Sequence, residues 1–135
     1  MIRTEAAPIG TLSAQRVLFA GRSLDFQSTA DQALTKQFDG TNYVVTDVIA
    51  TRQSGASSVL NVGGVYTGAS KSGSAIVGAA QSWLGLSGIS KAVKSTLAAV
   101  AGTDVLSSGT MFLSLTTGSA TAVTANVFVI GVVVD

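Results

Sequence analysis

Apolar residues are most densely grouped near the end of the chain, where Val127, Phe128, Val129 and Ile130 begin a run that continues to residue 134. β-branched side chains without polar alternation predict a strand that is covered on both faces, and this run is far too short to cross a bilayer as a helix. A chain of 135 residues builds one modest core. The second face of this strand is therefore expected to contribute to a subunit interface.

A second strongly apolar segment lies in the first half of the chain. Asp39 and Gly40 are a turn signal, because Asp-Gly tolerates the positive φ of tight turns, and residues 43–52 after it predict a strand. Strict alternation divides the apolar side chains of this strand into two opposite sets, which are Tyr43, Val45 and Ile49 on one face and Val44, Val48 and Ala50 on the other. Both faces are expected to be partly covered.

Further short strands are predicted at 65–67, 75–81, 111–117 and 122–134. Residues 68–74, between the first two, are rich in Gly and Ser, but Lys71 does not stand where the G-x-x-x-x-G-K-[S/T] order of a phosphate loop requires it. The segment therefore predicts a hairpin connection. Recurrent short strands separated by turn residues favour an all-β fold, a jelly-roll-like β-sandwich.

Two segments carry signals for both helix and strand. In residues 90–101, Val93, Leu97 and Val100 recur at helical spacing, and local rules alone predict a short amphipathic helix there. Residues 28–38 show the same conflict, because Ser28 is a suitable helix N-cap. The strand alternative stays open for both segments.

The beginning of the chain differs in character from the rest. Residues 1–13 predict an extended N-terminal arm, since Glu5 and Pro8 stand where a secretory signal would need an apolar segment. Residues 14–135 are expected to form a single β-sandwich domain. The longest uncharged stretch, residues 72–90, contains five Ser, four Gly and one Gln, which disfavours a pore-forming or holin-like protein and predicts no membrane partner.

The overall composition indicates that part of the surface is covered by protein. Charged residues make up 11% of the chain against about 25% in typical soluble domains, and the mean hydropathy is +0.50. Eight Lys and Arg against seven Asp and Glu give a net charge of +1, with the charges scattered along the chain. No basic face for nucleic acid is therefore predicted.

The chain is poor in groups that perform chemistry. It has neither Cys nor His, so thiol nucleophiles, the usual general base and the commonest transition-metal ligands are all missing. Its seven acids are well separated and follow no metal-binding spacing. We therefore predict no catalytic, cofactor-binding or metal-binding residues. Trp83, the single Trp, is expected to be a core or interface anchor rather than a platform for a ligand.

Five segments of the sequence resemble a family of small tailed-bacteriophage virion proteins. They are TADQAL at 29–34, TNYVVTD at 41–47, GVYTGASKSG at 64–73, LSLTT at 113–117 and ANVFVIGV at 125–132. The resemblance covers most of the chain from Asp25 onward. It implies a subunit of jelly-roll type in which residues 90–101 form a strand, and a structural protein of the virion without enzymatic activity.

Within that family, capsid decoration (cement) is the role that fits the chain best. A decoration protein would bind the assembled shell of major capsid protein on the virion surface, after synthesis in the host cytoplasm, and would stabilise the shell. A homotrimer would bring three copies of the apolar last strand together. The expected subunit or capsid interface residues are Trp83, Phe128, Ile130 and Val132.

Two alternatives remain at the level of sequence. The first is a structural or adsorption component of the tail, the baseplate or a head fibre. The second is a carbohydrate-binding module of jelly-roll type, in which Tyr43, Tyr66 and Trp83 would stack on sugar rings. Aromatic residues make up only 6% of the chain, which disfavours the second alternative.

Overall fold

The protein folds as an all-β structure built on one curled antiparallel sheet. The computed structural model describes residues 15–55, 61–87, 92–98 and 104–135, so the predicted arm at 1–13 lies outside the described residues. Helical structure in these ranges is limited to two 3₁₀ turns, Ala69–Lys71 and Leu84–Ser87. The eight strands are β1 (Arg16–Asp25), β2 (Gln32–Lys36), β3 (Tyr43–Gly55), β4 (Val62–Gly68), β5 (Ser72–Val77), β6 (Ala92–Lys94), β7 (Met111–Thr117) and β8 (Val123–Val133).

The strand order in the sheet is β5-β4-β7-β2-β1-β8-β3-β6. β2 joins the two halves, because Gln32 to Leu34 pair with β7 while Thr35 and Lys36 pair with β1. The sheet curls until its two ends approach each other. Val77 of β5 bridges to Leu97, and the Ala98 amide donates to the Ile76 carbonyl oxygen at 2.9 Å, so the chain after β6 meets the opposite end of the sheet.

The core lies inside this curl and is closed by aromatic side chains. Phe19 and Tyr43 have no exposed surface and meet edge to face, with ring centroids 5.6 Å apart. Phe26 and Trp83 do the same, also at 5.6 Å. Edge-to-face pairs align the positive ring edge with the negative ring face and add to the free energy gained by burial. The inner sides of both halves of the sheet are thus fastened to one core.

β8 is a central strand with neighbours along both edges. It pairs with β1 on one side and with β3 on the other. Its burial alternates strictly from Val123 to Gly131, with one face fully inside and the other only half-buried. The predicted strand at 122–134 is confirmed, but within one chain only one of its faces is fully covered.

β3 confirms the predicted strand at 43–52 but corrects its two faces. The register against β8 shifts between Val45 and Asp47, so Thr46 is the extra residue of a β-bulge. A bulge reverses the alternation beyond it. Val48 therefore points inward with Val45, while Ile49 points outward; the prediction that Ile49 shares a face with Val45 is wrong.

The two ambiguous segments are extended where the structure describes them. Residues 28–38 contain β2 rather than a helix, and 92–94 form β6, with 95–98 continuing in non-helical conformation. The rest of 90–101 lies outside the described residues. The sheet supplies the reason: the Ser95 amide donates to the Val48 carbonyl oxygen at 2.9 Å, a partner that an isolated helix would not need.

The connections follow the turn residues. Gly40 has a φ of +116°, the left-handed conformation expected for the Asp39-Gly40 turn. Residues 68–74 connect β4 to β5 through the 3₁₀ turn Ala69–Lys71, as predicted for a hairpin connection. In the part of the chain that the structure describes, no helix has the length and apolar character needed to span a membrane.

Candidate functional site: an apolar stripe on the outer sheet face

The outer face of β8 carries three apolar side chains in succession. Phe128, Ile130 and Val132 alternate with residues that point into the core, and each of the three is half-buried. Their inward neighbours Val127 and Val129 have no exposed surface. Period-two alternation thus places one apolar set in the core and presents the other to the surroundings of the chain.

Neighbouring strands extend this apolar surface sideways through cross-strand pairs. Val17 of β1 lies opposite Ile130 and is 37% exposed. On β3, Val44 lies opposite Val132 and Ile49 opposite Phe128, and both are half-buried. Directly opposed side chains share a face of the sheet. We call the set of six the outer stripe; its members are Val17, Val44, Ile49, Phe128, Ile130 and Val132.

Charged groups lie both beside the outer stripe and among its residues. The Arg22 guanidinium lies over the Phe128 ring, 5.5 Å from its centroid. Asp47 lies opposite Ile130 on β3, between Val44 and Ile49, and forms an ion pair with Lys94 of β6 at 3.1 Å. Lys94 is 71% exposed, so this pair contributes little stability, but it neutralises the carboxylate among the stripe residues. An apolar centre with a polar rim is typical of protein–protein interfaces, and the paired carboxylate of Asp47 is a polar group inside the otherwise apolar stripe.

The predicted interface residues do not all lie together. Phe128, Ile130 and Val132 share the outer stripe, whereas Trp83 is completely buried within the chain. The Trp83 indole N–H donates to the Gly63 carbonyl oxygen at 3.1 Å, which satisfies its only donor inside the core. Trp83 is therefore a core anchor and offers no surface to a partner, which corrects its assignment as an interface residue.

The other aromatic residues considered for sugar stacking are also inside. Tyr43 has no exposed surface and its hydroxyl donates to the Ser108 carbonyl oxygen at 2.8 Å; burial raises its pKa to about 12. Tyr66 is buried as well. Stacking on a sugar ring needs an exposed aromatic face. Tyr43, Tyr66 and Trp83 consequently form no platform for a carbohydrate.

A polar cluster lies on the other half of the sheet, in a cavity of about 380 Å³. The Ser70 amide donates to Asp31 Oδ2 at 2.6 Å, and Lys71 Nζ donates to Ser114 Oγ at 3.0 Å. The hydrogen bond from Ser70, then that from Ser114, and finally the charge of Lys71 hold the pKa of Asp31 below its ordinary value. We call Asp31, Ser70, Lys71 and Ser114 the turn cluster.

A second cavity, of about 360 Å³, lies where the two ends of the sheet meet. Gln81 crosses it, accepting a hydrogen bond from the Thr96 amide through Oε1 at 2.9 Å. Within the described ranges, none of the residues that line this cavity is titratable. In the same ranges, no group of three or more acidic side chains is placed to hold a metal ion. This cavity is thus bordered by small and apolar side chains and by the hydrogen bond between Thr96 and Gln81.

Comparison with models of protein families, with curated proteins and with solved structures gave no match for this chain. The outer stripe and the turn cluster are thus interpreted from their own geometry. Sequence reasoning identified the three β8 members of the stripe, but it missed Val17 and misplaced Ile49. β1 was not predicted, because Gly21 and two arginines interrupt its apolar residues.

Proposed function

We propose that this protein is a bacteriophage capsid decoration protein that binds the assembled shell of major capsid protein and stabilises it, acting as a homotrimer. The outer stripe is the observation that carries the proposal. Six apolar side chains on three adjoining strands remain partly exposed in the single chain. Contiguous exposed apolar surface with a polar rim marks an interaction site.

The chemistry of the described residues supports binding rather than catalysis. The polar groups at the two cavities hydrogen-bond to one another, and the carboxylate of Asp47, which lies among the stripe residues, is paired with Lys94. A protein that binds only the assembled shell shifts the assembly equilibrium by mass action, so it needs complementary surfaces and no reacting group. The resemblance of five segments to small virion proteins supplies the setting.

The finer architecture belongs to the same proposal. We interpret the curled sheet as a jelly-roll-like sandwich in which the β5-β4-β7-β2 half and the β1-β8-β3-β6 half face each other. In a trimer, the stripes of three copies would be covered by neighbouring copies or by the shell. Either arrangement would remove from water the second apolar face of β8.

The test is binding to capsids from which the protein has been removed. The purified protein is first examined by analytical ultracentrifugation, where we expect a trimer, and is then added to stripped capsids, where we expect saturable binding and a higher capsid melting temperature. Val132→Asp places a charge in the stripe and should abolish binding or trimer formation. Leu84→Asp is the control, because Leu84 is 40% exposed but lies outside the stripe.

A wild-type protein that is monomeric and indifferent to capsids would refute the proposal. If Val132→Asp retains full binding to capsids, the outer stripe is not the binding surface. Immunogold labelling of virions distinguishes the head from other locations, because gold confined to the tail, the baseplate or a fibre would replace the capsid role with an adsorption role.

A further inference from the structure

The turn between β4 and β5 has an unusual backbone. Ser70 and Lys71 are consecutive non-glycine residues with φ of +56° and +60°. L-residues rarely adopt the left-handed region, since the Cβ atom crowds the following carbonyl group, and two in succession require compensation from the surrounding structure. Gly would relieve the crowding, yet neither position is Gly.

The compensation comes from two neighbouring elements. Asp31, in the loop before β2, accepts a hydrogen bond from the Ser70 amide through Oδ2 at 2.6 Å. Lys71 reaches to β7, where Nζ donates to Ser114 Oγ at 3.0 Å and lies 3.5 Å from the Leu115 carbonyl oxygen. Ser114 is buried. The turn is therefore held over the outer side of β7 by one carboxylate and one ammonium group.

The turn cluster lies beside β2, the strand that joins the two halves of the sheet. β2 joins the halves of the sheet through three registered residue pairs with β7 and two with β1. The turn cluster adds a further connection from the β4–β5 hairpin, across β7, to the start of β2. Asp31, Lys71 and Ser114 form hydrogen bonds within the cluster. We therefore interpret the cluster as a structural contact between elements rather than as an open ligand site.

We infer that the turn cluster is a charge-dependent clasp: ionised Asp31 keeps the Ser70–Lys71 turn in its left-handed conformation, and loss of that charge releases the hairpin from the joint of the sheet. This inference is independent of the proposed capsid role. Charge-assisted hydrogen bonds to a carboxylate are stronger than neutral ones, which is why the ionised form is required.

The direction of the pH effect follows from the carboxylate. Hydrogen bonds from Ser70 and Ser114, with the charge of Lys71, lower the pKa of Asp31 from 3.8 in the folded protein. A lowered folded pKa means that the stabilisation is complete above the unfolded pKa and disappears as the pH falls through the folded pKa. Lys71 is the charged group whose electrostatic attraction acts on Asp31. The clasp should accordingly open only in acid.

The test is amide hydrogen exchange of Ser70 by NMR, corrected for intrinsic exchange rates, in the wild type and in Asp31→Asn. We expect exchange about tenfold faster or more in Asp31→Asn at neutral pH, and a similar loss of protection in the wild type below the pKa of Asp31. Asp39→Asn, at an exposed carboxylate in a different turn, is the matched control and should leave Ser70 unchanged.

A second variant separates the clasp from a general loss of stability. Ser70→Gly removes the left-handed strain at position 70, so the drop in melting temperature caused by Asp31→Asn should be smaller in the Ser70→Gly background than in the wild type. Equal drops in both backgrounds would overturn the inference. Protection at Ser70 that is the same in Asp31→Asn, in Asp39→Asn and in acid would overturn it as well, and the acid measurement does not depend on either variant folding.

Discussion

Gly131 occupies a point of very close approach between β8 and its neighbours. It is buried on the inner face, and a Cβ atom there would lie 2.7 Å from Leu18 Cδ1 and still closer to the Val44 carbonyl oxygen. The second contact is with backbone, which cannot move without disturbing the pairing of β3 with β8. Glycine is thus required at position 131, because the neighbouring atoms leave no room for a side chain.

Gly131→Ala should destabilise the protein by about 1–3 kcal/mol through overpacking. Chemical denaturation measures the change in the free energy of unfolding. Gly109→Ala is the control, since a Cβ at Gly109 meets nothing within 4 Å, and its effect should stay within about 0.5 kcal/mol. Equal effects of the two substitutions would contradict this role of Gly131.

Tyr43 makes stability sensitive to alkali. Burial raises its pKa from 10.0 to about 12, so the neutral phenol is favoured in the folded state. Its contribution is complete below pH 10 and is lost as the pH rises from 10 towards 12. Denaturation curves recorded across this range should show falling stability in the wild type and a flatter profile in Tyr43→Phe. A profile that Tyr43→Phe leaves unchanged would assign the alkaline loss to another group.

At the scale of the element, β8 combines two different surfaces in one strand. Val129 points into the core with no exposed surface, whereas Val132, three residues later, lies in the outer stripe. Identical substitutions at these two positions therefore test different properties of the molecule. We expect substitutions on the inner face to affect folding and substitutions on the outer face to affect the proposed binding.

Val129→Asp should prevent folding, because an unpaired carboxylate in the core costs several kcal/mol or must take up a proton. Val132→Asp should leave the circular dichroism spectrum of the wild type intact while reducing self-association in sedimentation. A folded, soluble Val129→Asp variant would contradict the buried position of this side chain. An unfolded Val132→Asp variant would show that the outer stripe also serves the stability of the single chain.

A strand could be predicted from the sequence where the pattern that indicates it lies within the strand itself. β7 and β8 were found almost residue for residue, because alternation and β-branching are visible within each strand. The faces of β3 were wrong beyond Thr46, since a bulge is defined by its partner strand and leaves no mark in a single sequence. The segment at 92–98 shows the same limit: its helical spacing yields to hydrogen bonds with distant strands.

For the site, the three β8 residues named from the sequence belong to one contiguous run. The structure places Phe128, Ile130 and Val132 on one face of β8, and their role in an interface stays a prediction. The turn cluster could not be predicted from the sequence. Asp31 and Ser114 are 83 positions apart and are brought together only by the pairing of β2 with β7.

At the scale of the whole molecule, the low charge content and the outer stripe both indicate that part of the protein surface is apolar. Charged residues are 11% of the chain, and six partly exposed apolar side chains adjoin one another on β1, β3 and β8. Burial of this stripe between copies would be driven by the hydrophobic effect and only weakly by charge.

Self-association should therefore strengthen on warming from about 5 to about 25 °C, because hydrophobic stabilisation weakens on cooling. Isothermal titration calorimetry of dilution should give a negative heat-capacity change for association, with little dependence on salt. Association that disappears at high salt would point instead to the charged groups Arg22, Asp47 and Lys94 as the source of the attraction.

The flanking of β8 by β1 and β3 also limits how the protein can aggregate. Both backbone edges of the most apolar strand are already hydrogen-bonded within the chain, so a foreign strand cannot extend the sheet there. Contact through the outer stripe can involve side chains only, and side-chain packing stops when the stripe is covered. A sequence that would be prone to fibril growth as a free segment is thereby prevented from pairing with a foreign strand along β8.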